Sequence, residues 1–211
     1  MNLSADDIAR LEPRYRATLI NSITGVRPAV LIGTRSHAGE NNLAIFNSLV
    51  HLGADPALNG LLFRPATVER NTLNNILETG VYTINFVRAV FYKNAHQTSA
   101  KYPKGESEFE AAGFAEQFIE DFHAPFVADA VIRLAMKFHS KIDIPANGTI
   151  FVIGSVQQVY IPDEIVSPDG FVAPDQQELL TCAGLDAYFK PVRIGRLAYA
   201  RPGIPPIEIQ S

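Results

Sequence analysis

Polar side chains interrupt a strand-like segment at residues 40–56, ENNLAIFNSLVHLGADP, and are the first groups in the chain that could do chemistry. The segment follows a glycine and ends in a proline, which stops a strand. A strand that only fills a core has little use for Asn42, Asn47, Ser48 and His51 so close together. The pattern therefore predicts a strand of small and polar residues that faces a ligand.

A second group of polar and cationic residues follows in the segment FRPATVERNTLNN. Arg70 and Asn71 stand at the start of a predicted helix, whose free N–H groups and dipole favour an anion. Arg70 and Thr72 there predict a phosphate site, because both side chains donate hydrogen bonds to phosphate oxygens. Arg64 and Asn75 lie in the same stretch. Taken singly, Asn71 could equally be a helix cap and Arg64 a surface charge, so the prediction depends on the combination.

Standard catalytic and nucleotide-binding motifs are missing from the sequence. It has no GxxxxGK[ST] loop, no GxGxxG after a strand and no GxSxG. The five histidines have no HxH, HxxxH or HExxH spacing, so no metal site is predicted. Cys182, the single cysteine, lies in an apolar setting without a neighbouring base, which favours a buried thiol over a nucleophile. If the chain is an enzyme, a cofactor is expected to supply the chemistry that its side chains do not.

The composition of the 211 residues is that of a globular chain, with 47% hydrophobic and 19% charged residues. A net charge of −4 without a block of Lys or Arg argues against nucleic acid as the main partner, because phosphate backbones require concentrated positive charge. No apolar run approaches the roughly 18 residues of a membrane span. The start, MNLSADDIARLEPRYR, has neither region of a signal peptide. We therefore predict a cytoplasmic protein with no nucleic acid or membrane partner.

Apolar runs of the β type predict six strands separated by turn signals. These runs lie at residues 29–34, 58–63, 81–87, 131–142, 149–161 and 192–199. Residues 71–79 have helical spacing and are followed by a glycine, and shorter helices are predicted after Ser4 and within 107–120. The pattern predicts one β-rich domain over residues 1–211, a barrel with helical insertions.

The segment RPAVLIGTRSHAGENNLAIFNSLVHLGADPALNGLLFRP resembles the core of the flavin reductase-like family of FMN-binding split β-barrel proteins. It has a strand ending in Thr, a Gly-x-x-Asn turn, a small-residue strand, an Asp-Pro turn and a strand ending in Arg-Pro. Three further segments are similar to members of this family: RNTLNNILETGVYTINFV, AHQTSAKYPKGESEF and LDAYFKPVRIGRLAYARP. The resemblance covers most of the chain and implies a mainly β fold, an FMN-binding split β-barrel of Greek-key-like connectivity with a few short helices inserted.

The resemblance also implies a flavin site built from the polar strand and the anion segment. The strand residues would line the flavin ring and ribityl chain, and the later residues would lie near the phosphate. The cofactor-binding residues expected on this basis are Thr34, Asn42, Leu43, Ala44, Asn47, Ser48, Arg64, Arg70, Thr72 and Asn75. No catalytic side chain is expected, because transfer between two rings requires positioning and not a base. A homodimer is implied, with the flavin in a groove between subunits.

The activity that the resemblance implies is an NAD(P)H-dependent flavin reductase or oxidoreductase, which transfers hydride from NADH or NADPH to the flavin and serves a small-molecule substrate or electron acceptor. FMN is the expected cofactor because the resemblance favours it and because the chain has no dedicated adenine-binding motif, and FAD is the alternative. Many reductases carry Gly-Asp-His in a hairpin where this chain has Ala146-Asn147-Gly148-Thr149. That departure favours a second hypothesis, an FMN-holding electron-transfer flavoprotein that does not use NAD(P)H directly, although His51 or His139 could replace the histidine. A third hypothesis is an interaction module without a cofactor.

Overall fold

The computed structural model describes residues 1–65, 70–103 and 105–209. Its helices are α1 (Ala5–Arg10), α2 (Pro13–Ile23), α3 (Asn71–Thr79), α4 (Tyr92–Gln97) and α5 (Glu108–Ala111), with 3₁₀ turns at Ala89–Phe91 and Asp163–Ile165. Its strands are β1 (Arg27–Pro28), β2 (Val30–Arg35), β3 (Asn41–Phe46), β4 (Leu49–Ala54), β5 (Ala57–Phe63), β6 (Val81–Phe86), β7 (Glu116–Gln117), β8 (Phe126–Val127), β9 (Arg133–Ile144), β10 (Thr149–Tyr160), β11 (Thr181–Ala183) and β12 (Ala187–Phe189). Strands hold 36% of the residues and helices 21%, so the fold is mainly β, as the sequence predicts. Within the described ranges, no helix has the length and apolar character needed to cross a bilayer.

One antiparallel sheet of seven strands forms the body of the molecule, in the order β3-β2-β6-β9-β10-β5-β4. The two strands at its ends, β3 and β4, are consecutive in the chain and are joined only by Asn47 and Ser48. A two-residue link between the outermost strands requires the sheet to curl until its edges approach each other. The result is a split β-barrel, and the split lies between β3 and β4.

Apolar clusters cover both faces of β2, whose residues are nearly all buried. Val30 and Ile32 point into the barrel interior, where they pack in one cluster with Met136. Leu31 points to the other face and belongs to a second cluster that includes Phe109. Burial on both faces explains why this strand is a continuous apolar run, VLIG, and does not alternate. The second cluster attaches the short helices and the C-terminal strands to the barrel.

Tyr82 fills the barrel interior at a point where the facing strand carries no side chain. The residue is fully buried, and a Cβ atom on Gly154 would lie 2.1 Å from its hydroxyl oxygen and 2.9 Å from its ring Cζ. Carbon atoms cannot approach that closely, so the ring requires a glycine on β10. The hydroxyl has no hydrogen-bond partner among the described residues, and burial raises the pKa of Tyr82. Packing of the aromatic ring, and not a hydrogen bond of the hydroxyl, therefore stabilises Tyr82 in the barrel interior.

Five of the six predicted strands are present, as β2, β5, β6, β9 and β10, and the predicted helix at 71–79 is α3. Gly80 ends that helix in the left-handed conformation, with φ 74°. The sixth predicted strand, residues 192–199, is wrong. That segment turns back on the chain end, with the N–H of Ala198 donating to the carbonyl of Ile207 at 2.9 Å, and it joins none of the sheets. Its apolar side chains are exposed in the single chain, so nothing orders them into a sheet.

The outer edge of β3 is covered in part by α5. The N–H of Leu43 points away from β2 and donates to Oε2 of Glu108 at 3.0 Å. A hydrogen bond of this kind occupies an edge group that would otherwise be free to pair with another strand. Glu108 is half-buried, and burial raises the pKa of its carboxyl group, although the hydrogen bond from Leu43 acts in the opposite direction. The carboxylate is therefore held in a position where its charge is unfavourable.

Replacing Glu108 with Gln should keep the acceptor and remove the charge. A carboxyl group whose pKa is raised by folding stabilises the protein fully below its unfolded pKa, and that contribution is lost as the pH rises through the folded pKa. We expect E108Q to be at least as stable as the wild type at pH 7, with the difference vanishing below the ordinary glutamate pKa of about 4.3. Urea unfolding at several pH values measures this.

Two further variants complete that test. Glu108→Ala leaves the Leu43 N–H without its acceptor and should lower the free energy of unfolding by about 1 kcal/mol. Glu110→Gln, on the exposed side of the same helix, is the matched control and should show no pH-dependent difference. A markedly less stable E108Q at neutral pH would mean that the ionised carboxylate is the favoured form.

Candidate active site

Four of the predicted site residues form one buried hydrogen-bonded group between β2, β3 and α3. Oγ1 of Thr34 accepts from Nδ2 of Asn75 at 3.1 Å and from Nδ2 of Asn42 at 3.4 Å. Nδ2 of Asn42 also donates to Oγ1 of Thr72 at 2.9 Å. All four side chains are buried, so these hydrogen bonds are made out of contact with water. We call these four residues the threonine–asparagine network; they fix α3 against both strands.

The network determines where the first turn of α3 lies. The N–H groups of a first helical turn have no partner within the helix, and they form the positive end of its dipole. Arg70 precedes this turn as the N-cap residue, and its side chain makes no capping hydrogen bond. Its Nε and Nη2 both donate to the carbonyl of Pro65 at 3.2 Å. A guanidinium group and a helix N-terminus therefore lie together, close in the chain to Arg64.

A small cavity of about 90 Å³ lies at the other end of β3. Among the residues that line it are Ile45, Asn47, Arg64, Ser99, Cys182 and Tyr188. Nδ2 of Asn47 donates to the carbonyl of Gly184 at 2.5 Å and lies 3.8 Å from Sγ of Cys182. The amide of Asn47 thus ties the end of β3 to the loop between β11 and β12.

The predicted residues are therefore divided between two places. Asn42 lies within β3, whereas Asn47 lies at the bend that follows the strand. Asn42 reaches α3, whereas Asn47 reaches the loop at Gly184. At roughly 3.3 Å per residue, the two positions are about 17 Å apart along the strand. The structure brings together the network at one end and the cavity residues at the other, and it does not bring all the predicted residues to one face.

The remaining predicted residues lie between these two places or beside them. Leu43 is fully buried, and its side chain packs in the cluster outside the barrel. Ala44 is half-buried in the middle of β3. Oγ of Ser48 donates to the carbonyl of Leu62 at 2.8 Å, which continues the pairing of β4 with β5. Arg64 is exposed and, among the described residues, makes no ion pair.

Backbone groups of β3 also reach the cavity. In an antiparallel pair, the N–H and C=O of alternate residues point towards the neighbouring strand and away from it. The N–H of Leu43 points away from β2 to Glu108, so the N–H and C=O of Ile45 point away as well. Ile45 lines the cavity. The cavity therefore has a donor and an acceptor of a strand edge on one side.

The far wall of the cavity comes from segments that the sequence reasoning did not include in the site. Cys182 is buried, as predicted, and burial raises the pKa of its thiol. Tyr188 lies opposite Cys182 in the register of β11 and β12, and burial raises the pKa of its hydroxyl to about 12. Nδ1 of His96 lies 2.9 Å from the Tyr188 hydroxyl. The sequence segments that contain His96 and Tyr188 resemble members of the flavin reductase-like family. That resemblance is the one sequence signal that could have predicted these two residues at the site.

A wider depression of about 560 Å³ lies between residues 128–133 and 159–162. It is open to solvent and contains none of the predicted site residues. Nη1 of Arg133 donates to Gln117, and its Nε has no partner among the residues that the structure describes. We assign the candidate site to the smaller cavity, because Asn47 and Arg64 meet there beside the open strand edge.

Comparisons with known proteins agree with this fold. A family model described as flavin reductase like domain matches residues 25–179. An uncharacterized protein of Halalkalibacterium halodurans is 31% identical over 176 residues, which cover 81% of this chain and 83% of that protein. The family model covers β2 to β10 and the whole threonine–asparagine network.

Two solved structures are similar along nearly the whole chain. A proposed flavin reductase with split barrel domain from Shewanella frigidimarina has a TM-score of 0.91 and 44% identity, covering 95% of this chain and 100% of that chain. Nitrilotriacetate monooxygenase component B from Bacillus cereus has a TM-score of 0.83 and 18% identity, covering 93% of this chain and 98% of that chain. The second likeness is one of fold alone.

Thr34→Val should destabilise the protein strongly, although the two side chains have nearly the same shape. The valine removes the acceptor of two buried amides, and each unsatisfied buried donor costs about 1–3 kcal/mol. We expect a loss of about 2 kcal/mol or more in the free energy of unfolding, measured by urea denaturation.

Thr181→Val is the matched control for that measurement. The hydroxyl of Thr181 is partly exposed and makes one long contact, 3.5 Å from the carbonyl of Phe189. Its replacement should change the free energy of unfolding by less than about 0.5 kcal/mol. Equal effects of the two substitutions would mean that the network does not stabilise the fold.

Proposed function

Because the chain belongs to the flavin reductase like domain family, we propose that it is a flavin-dependent oxidoreductase that binds FMN along β3. The observation that carries this proposal is the arrangement of donors at the two ends of that strand. One end has the N-terminus of α3 beside Arg70, and the other has the cavity lined by Ile45, Asn47 and Arg64. When bound, FMN supplies redox chemistry that the side chains do not have.

The donor set near α3 fits a phosphate group. Helix N-termini and guanidinium groups are the common phosphate donors of proteins. The Arg70 guanidinium is held at the carbonyl of Pro65 beside the first turn of α3, whereas Arg64 lines the cavity at the other end of β3. Thr72 lies in the first turn of α3, but its hydroxyl already accepts a hydrogen bond from Asn42. We therefore propose that Arg70 and backbone N–H groups hold the phosphate, while Thr34, Asn42, Thr72 and Asn75 position them.

The other end of β3 fits the ring of a flavin. The polar edge of that ring has alternating donors and acceptors, and the outward N–H and C=O of Ile45 are a matching pair. Ala44 leaves room for a flat ring beside the strand, and Asn47 offers a side-chain oxygen at the same edge. FMN is proposed as the cofactor, with FAD as the alternative.

NADH or NADPH is proposed as the electron donor. A second candidate function, an electron-transfer flavoprotein that does not react with nicotinamides, is favoured by the turn between β9 and β10. That turn has Asn147, whose Oδ1 accepts from the N–H of Thr149 at 3.1 Å, and Gly148 with φ 72°, and it holds no histidine. The two functions differ in one step, the reaction with a nicotinamide.

A second copy of the chain is proposed to complete the site. The cavity of one chain encloses about 90 Å³, whereas pockets for cofactor-sized ligands hold about 300 Å³ or more. The segment 192–209 presents many exposed apolar side chains, among them Ile194 and Tyr199. Salt bridges from Arg193 to Asp175 and from Arg196 to Asp169 hold this segment to its own chain. We call residues 192–209 the C-terminal arm and propose that it packs on the partner in a homodimer.

Arg70→Gln should weaken the binding of FMN and leave that of riboflavin unchanged, because riboflavin has no phosphate. Loss of a charged hydrogen bond costs about 1.5–3 kcal/mol, which corresponds to roughly a tenfold to hundredfold rise in the dissociation constant for FMN. Titration of cofactor-free protein, followed by flavin fluorescence, measures both ligands. Arg14→Gln, on exposed α2, is the control. Equal weakening for both flavins would contradict the role of Arg70 at the phosphate.

The electron donor is tested by a visible spectrum of the FMN-loaded protein under argon. We expect the flavin absorbance to bleach within seconds of adding NADH or NADPH, which identifies the donor. Bleaching only by dithionite would support the electron-transfer flavoprotein. Protein that binds neither FMN nor FAD would contradict both functions and support an interaction module.

The homodimer is tested by placing charges on the C-terminal arm. Ile194→Asp with Tyr199→Asp should convert a dimer to a monomer in size-exclusion chromatography with light scattering, because a buried unpaired carboxylate is costly. Gln176→Asp adds the same type of charge at an exposed position outside the arm and should leave the mass unchanged. A wild-type monomer at all concentrations, or a dimer in all three proteins, would contradict this role of the arm.

A further inference from the structure

Tyr188 and His96, which have no role in the proposed cofactor binding, connect the cavity to solvent. Tyr188 in β12 is half-buried and lines the cavity, whereas His96 in the last turn of α4 is exposed. The Tyr188 hydroxyl lies 2.9 Å from Nδ1 of His96. The two rings meet edge to face, with centroids 5.8 Å apart and an interplanar angle of 86°. A hydroxyl of the cavity wall is therefore bonded to an imidazole that water can reach.

The groups around Tyr188 keep its hydroxyl protonated at neutral pH. Burial raises its pKa to about 12, and the nearby Cys182 and Asp186 act in the same direction. The ring of Tyr92 packs on Tyr188 with centroids 5.6 Å apart. Two cations face the same region, since Arg64 lines the cavity and Arg27 on β1 acts on Cys182. Tyr188 can therefore donate a proton, and imidazole is the side chain best suited to exchange one with water.

A proton donor at this cavity would matter only for those electron acceptors whose reduction also consumes a proton. Ferric iron and other one-electron acceptors take no proton from the protein. Reduction of a flavin by a nicotinamide needs only the hydride itself. An organic acceptor reduced by two electrons gains one hydrogen as hydride and a second as a proton, which a general acid must supply. A carbon–carbon double bond conjugated to a carbonyl needs one hydride and one proton, which matches a pair that delivers one proton at a time.

We propose that Tyr188 gives its proton to a small α,β-unsaturated carbonyl acceptor in this cavity and that His96 restores it from solvent. The proposal rests on the proposed flavin-dependent function, with NADH or NADPH as reductant. The acceptor's double bond gains a hydride at the carbon distant from the carbonyl, and its electron pair moves to the oxygen. The resulting enolate then takes the proton of the Tyr188 hydroxyl at the carbon next to the carbonyl. The phenolate regains a proton through His96 from water, so one nicotinamide is oxidised and one acceptor reduced.

Tyr188 is the catalytic residue in this scheme and His96 is a positioning residue that acts through it. The test uses full-length protein loaded with FMN, as the wild type, Tyr188→Phe, His96→Gln and Tyr92→Phe. The last variant removes a neighbouring hydroxyl that is not part of the pair. After anaerobic reduction, each protein is reoxidised by cyclohexenone or by ferricyanide. Tyr188→Phe should slow the reaction with cyclohexenone by about 100-fold or more and leave the reaction with ferricyanide unchanged.

His96→Gln should slow the reaction with cyclohexenone less than Tyr188→Phe does, and added imidazole should restore part of the rate. Tyr92→Phe should match the wild type with both acceptors. A second readout needs no cofactor, because tyrosine ionisation is visible in the ultraviolet. The late-ionising tyrosines of the wild type include the buried Tyr82, and one further late-ionising tyrosine should be missing in Tyr188→Phe and shifted in His96→Gln. FMN affinity should be the same in all four proteins.

Three outcomes would overturn the proposal. The first is a wild type that is reoxidised by ferricyanide and not by cyclohexenone. The second is a Tyr188→Phe protein with the wild-type rate for cyclohexenone. The third is a Tyr188→Phe protein that loses the two reactions equally, as expected if the pair only packs α4 against β12. Failure of the proposed function is distinct from these, because the wild type would then bind no FMN or would not be reduced by a nicotinamide.

Discussion

One oxygen atom, Oγ1 of Thr34, accepts hydrogen bonds from side chains of two different elements. Asn42 reaches it from β3 and Asn75 from α3, and both amides are buried, so neither has water as an alternative partner. The orientation of α3 follows from this arrangement, and with it the direction in which the first-turn N–H groups point. The position of Arg70 follows in turn. A cofactor site at this end of the barrel would be present before any cofactor binds.

The sequence predicted the parts of the fold whose signals are local. The helix at 71–79 has apolar periodicity and a glycine stop, and both appear in the structure. Helix α2, which begins at Pro13, is missing from the sequence prediction because a proline marks the start of one helix as readily as the end of another. Segment 192–199 has the composition of a strand, but pairing depends on a neighbour that composition does not reveal. For the same reason, the sequence shows that residues 42–48 include small and polar side chains, but it does not show which face of the strand each side chain occupies.

The two sides of the cavity have different origins in the chain. Ile45, Asn47 and Arg64 lie within the region matched by the family model, whereas Cys182 and Tyr188 lie after its end at residue 179. The wall from β11 and β12 is joined to the barrel by the apolar cluster around Leu31, by the amide of Asn47 and by the short strand β1. A barrel whose cavity has two separately encoded walls can change what it admits on one side without altering the strands on the other, which we propose carry the cofactor.

The contact between Tyr82 and Gly154 restricts the order in which this sequence can change. Any side chain at position 154 would overlap the tyrosine ring, so that site accepts no substitution while the ring is present. The ring could be replaced by a smaller side chain only by opening a void in the barrel interior. Descendants of this chain that carry a larger residue at 154 must therefore have lost the aromatic residue at 82 first, or both changes must have occurred together. In an alignment of relatives, these two positions should vary as a pair.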